Sequence, residues 1–231
     1  MAGISIALNQ YNDDMFKKLI AALSSRRHAS RPAAAALPYK QEELNLMYQL
    51  LFCDDAQLVQ QGPEPASLFG AAPDPRVVQT IGEDPAEESR VRLLAWQWLR
   101  VAGQPVASRE LLGVVVEVPL EGGLDVLAAY ADGSVRYIHH TGRVAVFEGT
   151  PEDIAQQGKL LVHAAIPLAA KGLVKHRAAP PVLGNVRLSL LAADGLHVRD
   201  GTFGDIDRDK IASPVLKQAQ RLLDLVVRQG S

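Results

Sequence analysis

The residues whose type would most directly support chemistry are the adjacent pair His139 and His140. Two imidazoles can hold a transition metal or share acid–base work. They close the run Val135-Arg-Tyr-Ile-His-His140, which has strand character. Neighbours along a strand point to opposite faces, so the sequence predicts one packed and one solvated histidine and no joint grip on an ion. His163, His176 and His197 are isolated, and neither His-x-x-x-His nor Cys-x-x-Cys occurs. Asp205-Ile-Asp207-Arg-Asp209 begins like a calcium loop, but Lys210 stands where the loop needs Gly and Leu216 where it needs the final Glu. It reads as a solvated acidic loop. No metal site and no cofactor are expected.

Nucleophile and nucleotide chemistry find little support. Cys53 precedes Asp54 and Asp55, whose charge opposes a thiolate. The chain has no Gly-x-Ser-x-Gly, Gly-x-Gly-x-x-Gly or P-loop pattern, and Gly122-Gly123 lacks a following helix to aim amides at a phosphate. The paired acids Glu42-Glu43 and Glu87-Glu88 sit at helix starts, where they complement the dipole. No catalytic residue is assigned, and the chain is read as leaning away from an enzyme.

Trp96 gives a sharper signal. On a helix over 85–102, Val91, Leu94, Ala95, Trp98 and Val101 share one stripe suited to packing on a sheet, and Trp96 points away between Arg92 and Arg100. Trp with flanking arginines is the composition of an interface hot spot. Trp96, Arg92 and Arg100 are therefore the expected partner-binding residues; the competing expectation is that a layer of N-terminal helix covers the tryptophan. A second candidate is a ligand pocket near the hairpin, lined by Arg136, Tyr137, His139, His140 and Arg143.

Composition narrows the class. At 231 residues, 48% hydrophobic and 22% charged, the chain can bury a sizeable core, which excludes disorder throughout. A formal net charge of -2 provides no global field for nucleic acid or anionic membrane. One cysteine allows no internal disulfide and fits a reducing compartment, and no stretch approaches the roughly 20 apolar residues of a membrane span. The expectation is a cytoplasmic protein, with Ala, Leu, Val and Arg usage that suggests a bacterial source. Lys17, Lys18, Arg26, Arg27 and Arg31 form a basic stretch that reads as a solvated face. Lys171, Lys175, His176 and Arg177 form a second basic cluster, open to an anion or to nothing.

The elements that must position these residues follow from periodicity. Residues 111–148 read as a continuous antiparallel meander, with Gly122-Gly123, Ala131-Asp-Gly-Ser134 and Thr141-Gly142-Arg143 as turns. Asn185 to Leu191 and Leu196 to Arg199 form a hairpin about Ala193-Asp194-Gly195. Helices are expected over Met15–Leu23, over Gln41–Cys53, from Asp84-Pro85, from Thr150-Pro151 to a stop at Gly158, and from Ser213 with a stripe of Val215, Leu216, Ala219, Leu222, Leu223 and Val226. Residues 62–75 read as irregular. The fold class is α+β, an antiparallel sheet of about six strands (meander 111–148 plus hairpin 185–199) flanked by helices. Residues 1–80 read as a mainly helical region, packed on the rest or separate, and 81–231 as the α+β domain. The leading functional reading is a non-catalytic protein-binding module, an adaptor, inhibitor or assembly factor, with self-association left open. The alternative is an enzyme or small-ligand-binding domain using the 136–143 pocket.

Overall fold

The computed structural model describes residues 37–55, 73–172 and 174–229. The expected helix over Met15–Leu23, the basic stretch from Lys17 to Arg31 and most of the Pro-rich 62–75 segment lie outside the described residues. Alternating β-branched runs and glycine-bearing turns give the meander: β1 (Leu111–Leu120), β2 (Gly123–Tyr130), β3 (Val135–Ile138) and β4 (Val144–Phe147). Later come β5 (Val174–Lys175), β6 (Asn185–Ala192) and β7 (Gly195–Thr202). The sheet order is β4-β3-β2-β1-β6-β7-β5, and every pairing is antiparallel. Among the described residues six strands have four residues or more, and the two-residue β5 closes one edge.

Both sheet faces are covered, and the alternation of side chains divides the core in two. One face carries Val114, Val116, Leu127, Val135, Leu188 and Leu190 against α4 (Glu152–Lys171) and α6 (Ala212–Gln229). The other carries Leu112, Val115, Val126, Ala128, Tyr130 and Ile138 against α1 (Glu42–Leu50), α2 (Pro75–Glu83) and α3 (Ser89–Val101). The described part of the N-terminal region is thus tied to the sheet, and Tyr130 Oη donates to Leu51 O at 2.7 Å. No helix among the described residues is long and apolar enough to cross a membrane.

Four local expectations are corrected. Gly158 does not stop a helix: α4 runs on through it and through Pro167 to Lys171. An added Cβ on Gly158 would lie 2.9 Å from Val135 Cγ2, so the missing side chain is what lets α4 approach β3. Asp84-Pro85 does not open a helix either. The Asp84 side chain accepts from Ala86 N at 2.9 Å, a local bond that competes with a helical start, and α3 begins at Ser89. The helix start lies earlier, where Asp74 caps α2 through Arg76 N and Pro75 takes the first position, inside the stretch read as irregular. Finally, Asp205 to Arg208 belongs to a short helix, α5 (Phe203–Arg208), which Thr202 caps at Asp205 N. Asp205 pairs with Arg208 and Asp209 with Arg199 at the surface, and Asp205 and Asp207 stay exposed, so the acids are solvated as expected and only the loop is replaced by a helix. The C-terminal stripe lies as expected, with Val215, Leu216, Ala219, Leu222 and Val226 buried.

Candidate functional site: a buried carboxylate beneath an arginine-lined pocket

One charged residue interrupts the hydrophobic run of β1. Glu117 shares the face of Val115, and strand alternation sends its side chain into the protein, where it is 1% exposed. Two donors meet it there. Tyr48 Oη, from α1, donates to Oε1 at 2.7 Å, and Ser189 Oγ, from β6, reaches Oε2 at the long distance of 3.4 Å. Burial pushes the Glu117 carboxyl above its ordinary range, while the Tyr48 hydrogen bond and the charge of Arg187 oppose that rise without cancelling it. Burial likewise pushes the Tyr48 phenol up, and the Glu117 charge and hydrogen bond add to it, so Tyr48 remains a donor.

Glu117 forms the floor of a cavity of about 150 Å³. Its walls include Ser189 and Arg187 from β6, Val198 and Asp200 from β7, and Arg177 from the loop after β5. The register places these together: Glu117 pairs with Arg187 across β1 and β6, and Arg187 pairs with Asp200 across β6 and β7. Arg187 makes charge-assisted bonds to Asp200 Oδ2 at 2.8 and 3.2 Å and donates to Ala179 O, which ties the loop down. The Arg177 guanidinium lies 4.9 Å from the Phe52 ring centroid and pairs with Asp54 at 3.5 Å. Part of the second basic cluster is thereby matched to an acid, Asp54. Burial raises the Asp54 carboxyl, and Arg177 works against that.

The expected partner-binding residues lie elsewhere. Trp96 is 3% exposed, enclosed between α3 and α2, and an added Cβ on Gly82 would come within 2.8 Å of its ring. The expectation that Trp96 faces away from the core is therefore corrected: α2 supplies the covering layer. With two layers to meet, α3 buries Arg92, Leu93, Trp96 and Leu99 besides Leu94 and Ala95, while Val101 is exposed and Trp98 half-buried. Arg92 is buried too; its Nε donates to Gly82 O at 2.9 Å, and it pairs with Glu110. Arg100 donates to Ala193 O and to Gln97, bracing α3 against the β6–β7 turn.

The 136–143 group is divided by the sheet. Arg136 lies on the α1–α3 side, paired with Glu148, whereas Tyr137 lies in the opposite core and donates to Asp125 Oδ2 at 2.9 Å. These two cannot line one pocket. Arg143 is exposed on the turn. The two histidines are also placed differently from expectation. β3 ends at Ile138, so strand alternation no longer applies, and their ring centroids stand 4.0 Å apart beside Asp125. Cys53 is a poor nucleophile mainly because of burial, which pushes its thiol up to about 12; the Asp54 charge is a lesser contribution.

Sequence reasoning missed Glu117, although a signal was present. A lone acid between Val116 and Val118 is a charge in a strand otherwise suited to burial on both faces. Its partners are not readable from sequence, because Tyr48 and Ser189 lie 69 and 72 residues away. Comparison with protein-family models, with curated proteins and with solved structures finds no match to this chain.

Proposed function

We propose that this chain is a non-catalytic protein-binding module, and that its recognition pocket is the cavity over Glu117. The observation that carries the proposal is the size of the cavity set against the cost of its floor. A buried carboxylate is expensive unless something repays it, and among the described residues Oε2 has only a long contact with Ser189. At about 150 Å³, the cavity is well below the roughly 300–1,000 Å³ of typical small-molecule pockets. It suits one inserted side chain whose N–H or O–H head meets Glu117 and whose stem lies on Leu196 and Val198. The loop that supplies Arg177 also carries Val182 and Leu183, 69% and 63% exposed, which offer an apolar contact for the rest of the partner.

The motif absences favour binding over catalysis. With Trp96 buried, the binding surface is relocated from α3 to this pocket and its loop. The test is purification from the native host of the wild-type chain, a Glu117→Gln variant and a Val182→Asp/Leu183→Asp variant, with folding checked by circular dichroism. The expected result is a protein that co-purifies with the wild type and is lost from both variants. Retention by both variants, or a small molecule in place of a protein, overturns the proposal.

A further inference from the structure

At the β3–β4 turn, polar side chains gather around Asp125, whose carboxylate lies on the sheet face opposite Glu117. Asp125 Oδ2 accepts from Tyr137 Oη at 2.9 Å, and Oδ1 accepts from His140 N at 2.6 Å and stands 2.9 Å from His140 Nδ1. His139 Nδ1 lies 2.7 Å from Thr141 Oγ1. One ligating atom from each of Asp125, His139 and His140 lies within 4.8 Å of the others, and all three residues are partly buried. The turn itself is fixed by His139 N donating to Arg143 O at 2.8 Å and Gly142 N donating to His139 O at 2.7 Å.

We propose that Asp125, His139 and His140 form a binding site for a divalent transition-metal ion of the zinc class. Two imidazoles and one carboxylate match the borderline character of Zn²⁺ and its neighbours, whereas Ca²⁺ and Mg²⁺ demand oxygen donors throughout. Metal-ligating side chains need partners that hold them, and this site has them: Tyr137 and the His140 amide orient Asp125, and Thr141 orients His139. Its partial exposure leaves coordination positions for water, the pattern of an open site with three protein ligands. Arg143, on the same turn, is solvent-exposed, so water and salt screen its repulsion of the ion. Two neutral imidazoles and one carboxylate contribute a charge of about -1, which favours the divalent ion.

The test is titration of the full, metal-free chain with Zn²⁺ by calorimetry, with Co²⁺ absorption as a report on coordination. One Zn²⁺ per chain is expected, not displaced by Mg²⁺ or Ca²⁺, and weakened about tenfold or more in His139→Ala and again in His140→Ala. The chain has six histidines, so binding that persists at full strength in the double variant would come from the other four and would overturn the proposal. Should the variants not fold, the wild type decides: added Cu²⁺ should broaden the ring resonances of His139 and His140 before those of His28, His163, His176 and His197. Broadening that begins elsewhere, or no uptake of Zn²⁺, sinks the assignment. The site is separate from the Glu117 pocket, so either proposal can fail without the other.

Discussion

Trp96 illustrates how a single residue changes meaning with its surroundings. Trp between two arginines on one helix face has the composition of a hot spot, but the same ring becomes a core element once Gly82 brings α2 against it. The energetic consequence is measurable. Trp96→Ala should cost roughly 3–5 kcal/mol of stability, as aromatic truncations in cores do. Gly82→Ala should also destabilise, because the new methyl group would meet the ring at 2.8 Å. Trp98, half-buried, should lose clearly less on truncation to Ala. Denaturant titration of the three variants checks the order; a Trp96→Ala loss under about 0.5 kcal/mol, the range of surface changes, would mean the ring is not enclosed.

At the scale of elements, α4 shows a conflict between local preference and packing. In an isolated helix, Ala is better than Gly by about 1 kcal/mol, so Gly158→Ala should stabilise if propensity ruled. Here the added Cβ would lie 2.9 Å from Val135 Cγ2, on a fully buried β3 residue. Contact should win, and Gly158→Ala should destabilise. The interaction is pairwise, so in a Val135→Ala background the same change should become neutral or favourable. A double-mutant cycle by chemical denaturation reads this directly, and additive effects would contradict the packing of α4 on β3.

For the molecule as a whole, Glu117 joins three elements that are distant in sequence, α1 through Tyr48, β1 through its own backbone and β6 through Ser189. Its carboxyl is raised on folding by burial, so the folded state holds the proton more tightly than the unfolded chain does. The sign follows by linkage. Its contribution to stability is fully present below the ordinary value of 4.5 and is lost as pH rises from there through the raised folded value. Glu117→Gln keeps an acceptor for Tyr48 and removes the charge. The variant should match the wild type below about pH 4.5 and become increasingly more stable toward neutral pH. Parallel denaturation curves for both proteins from pH 4 to 8 test this, since other titrating groups cancel in the difference. A difference independent of pH would place the carboxylate in water. Greater stability with loss of the co-purifying partner would be the trade-off expected of a charge kept for binding.

The sequence by itself determined the meander, the β6–β7 hairpin and the amphipathic C-terminal helix, because strand alternation, turn chemistry and a helical stripe are local properties. It also carried the α+β class, since the apolar faces of an antiparallel sheet must be covered and the segments left to cover them read as amphipathic helices. It failed where two segments compete for one residue. Gly158 has the look of a helix stop until Val135 lies against it, and Trp96 that of an interface residue until α2 covers it. The candidate sites belong to the same category. Glu117 is one acid in a strand until Tyr48 and Ser189 close on it, and His139 and His140 fall on one side only because β3 ends at Ile138. Only tertiary structure decided these, because each depends on contacts between chain segments whose meeting leaves no local periodic trace.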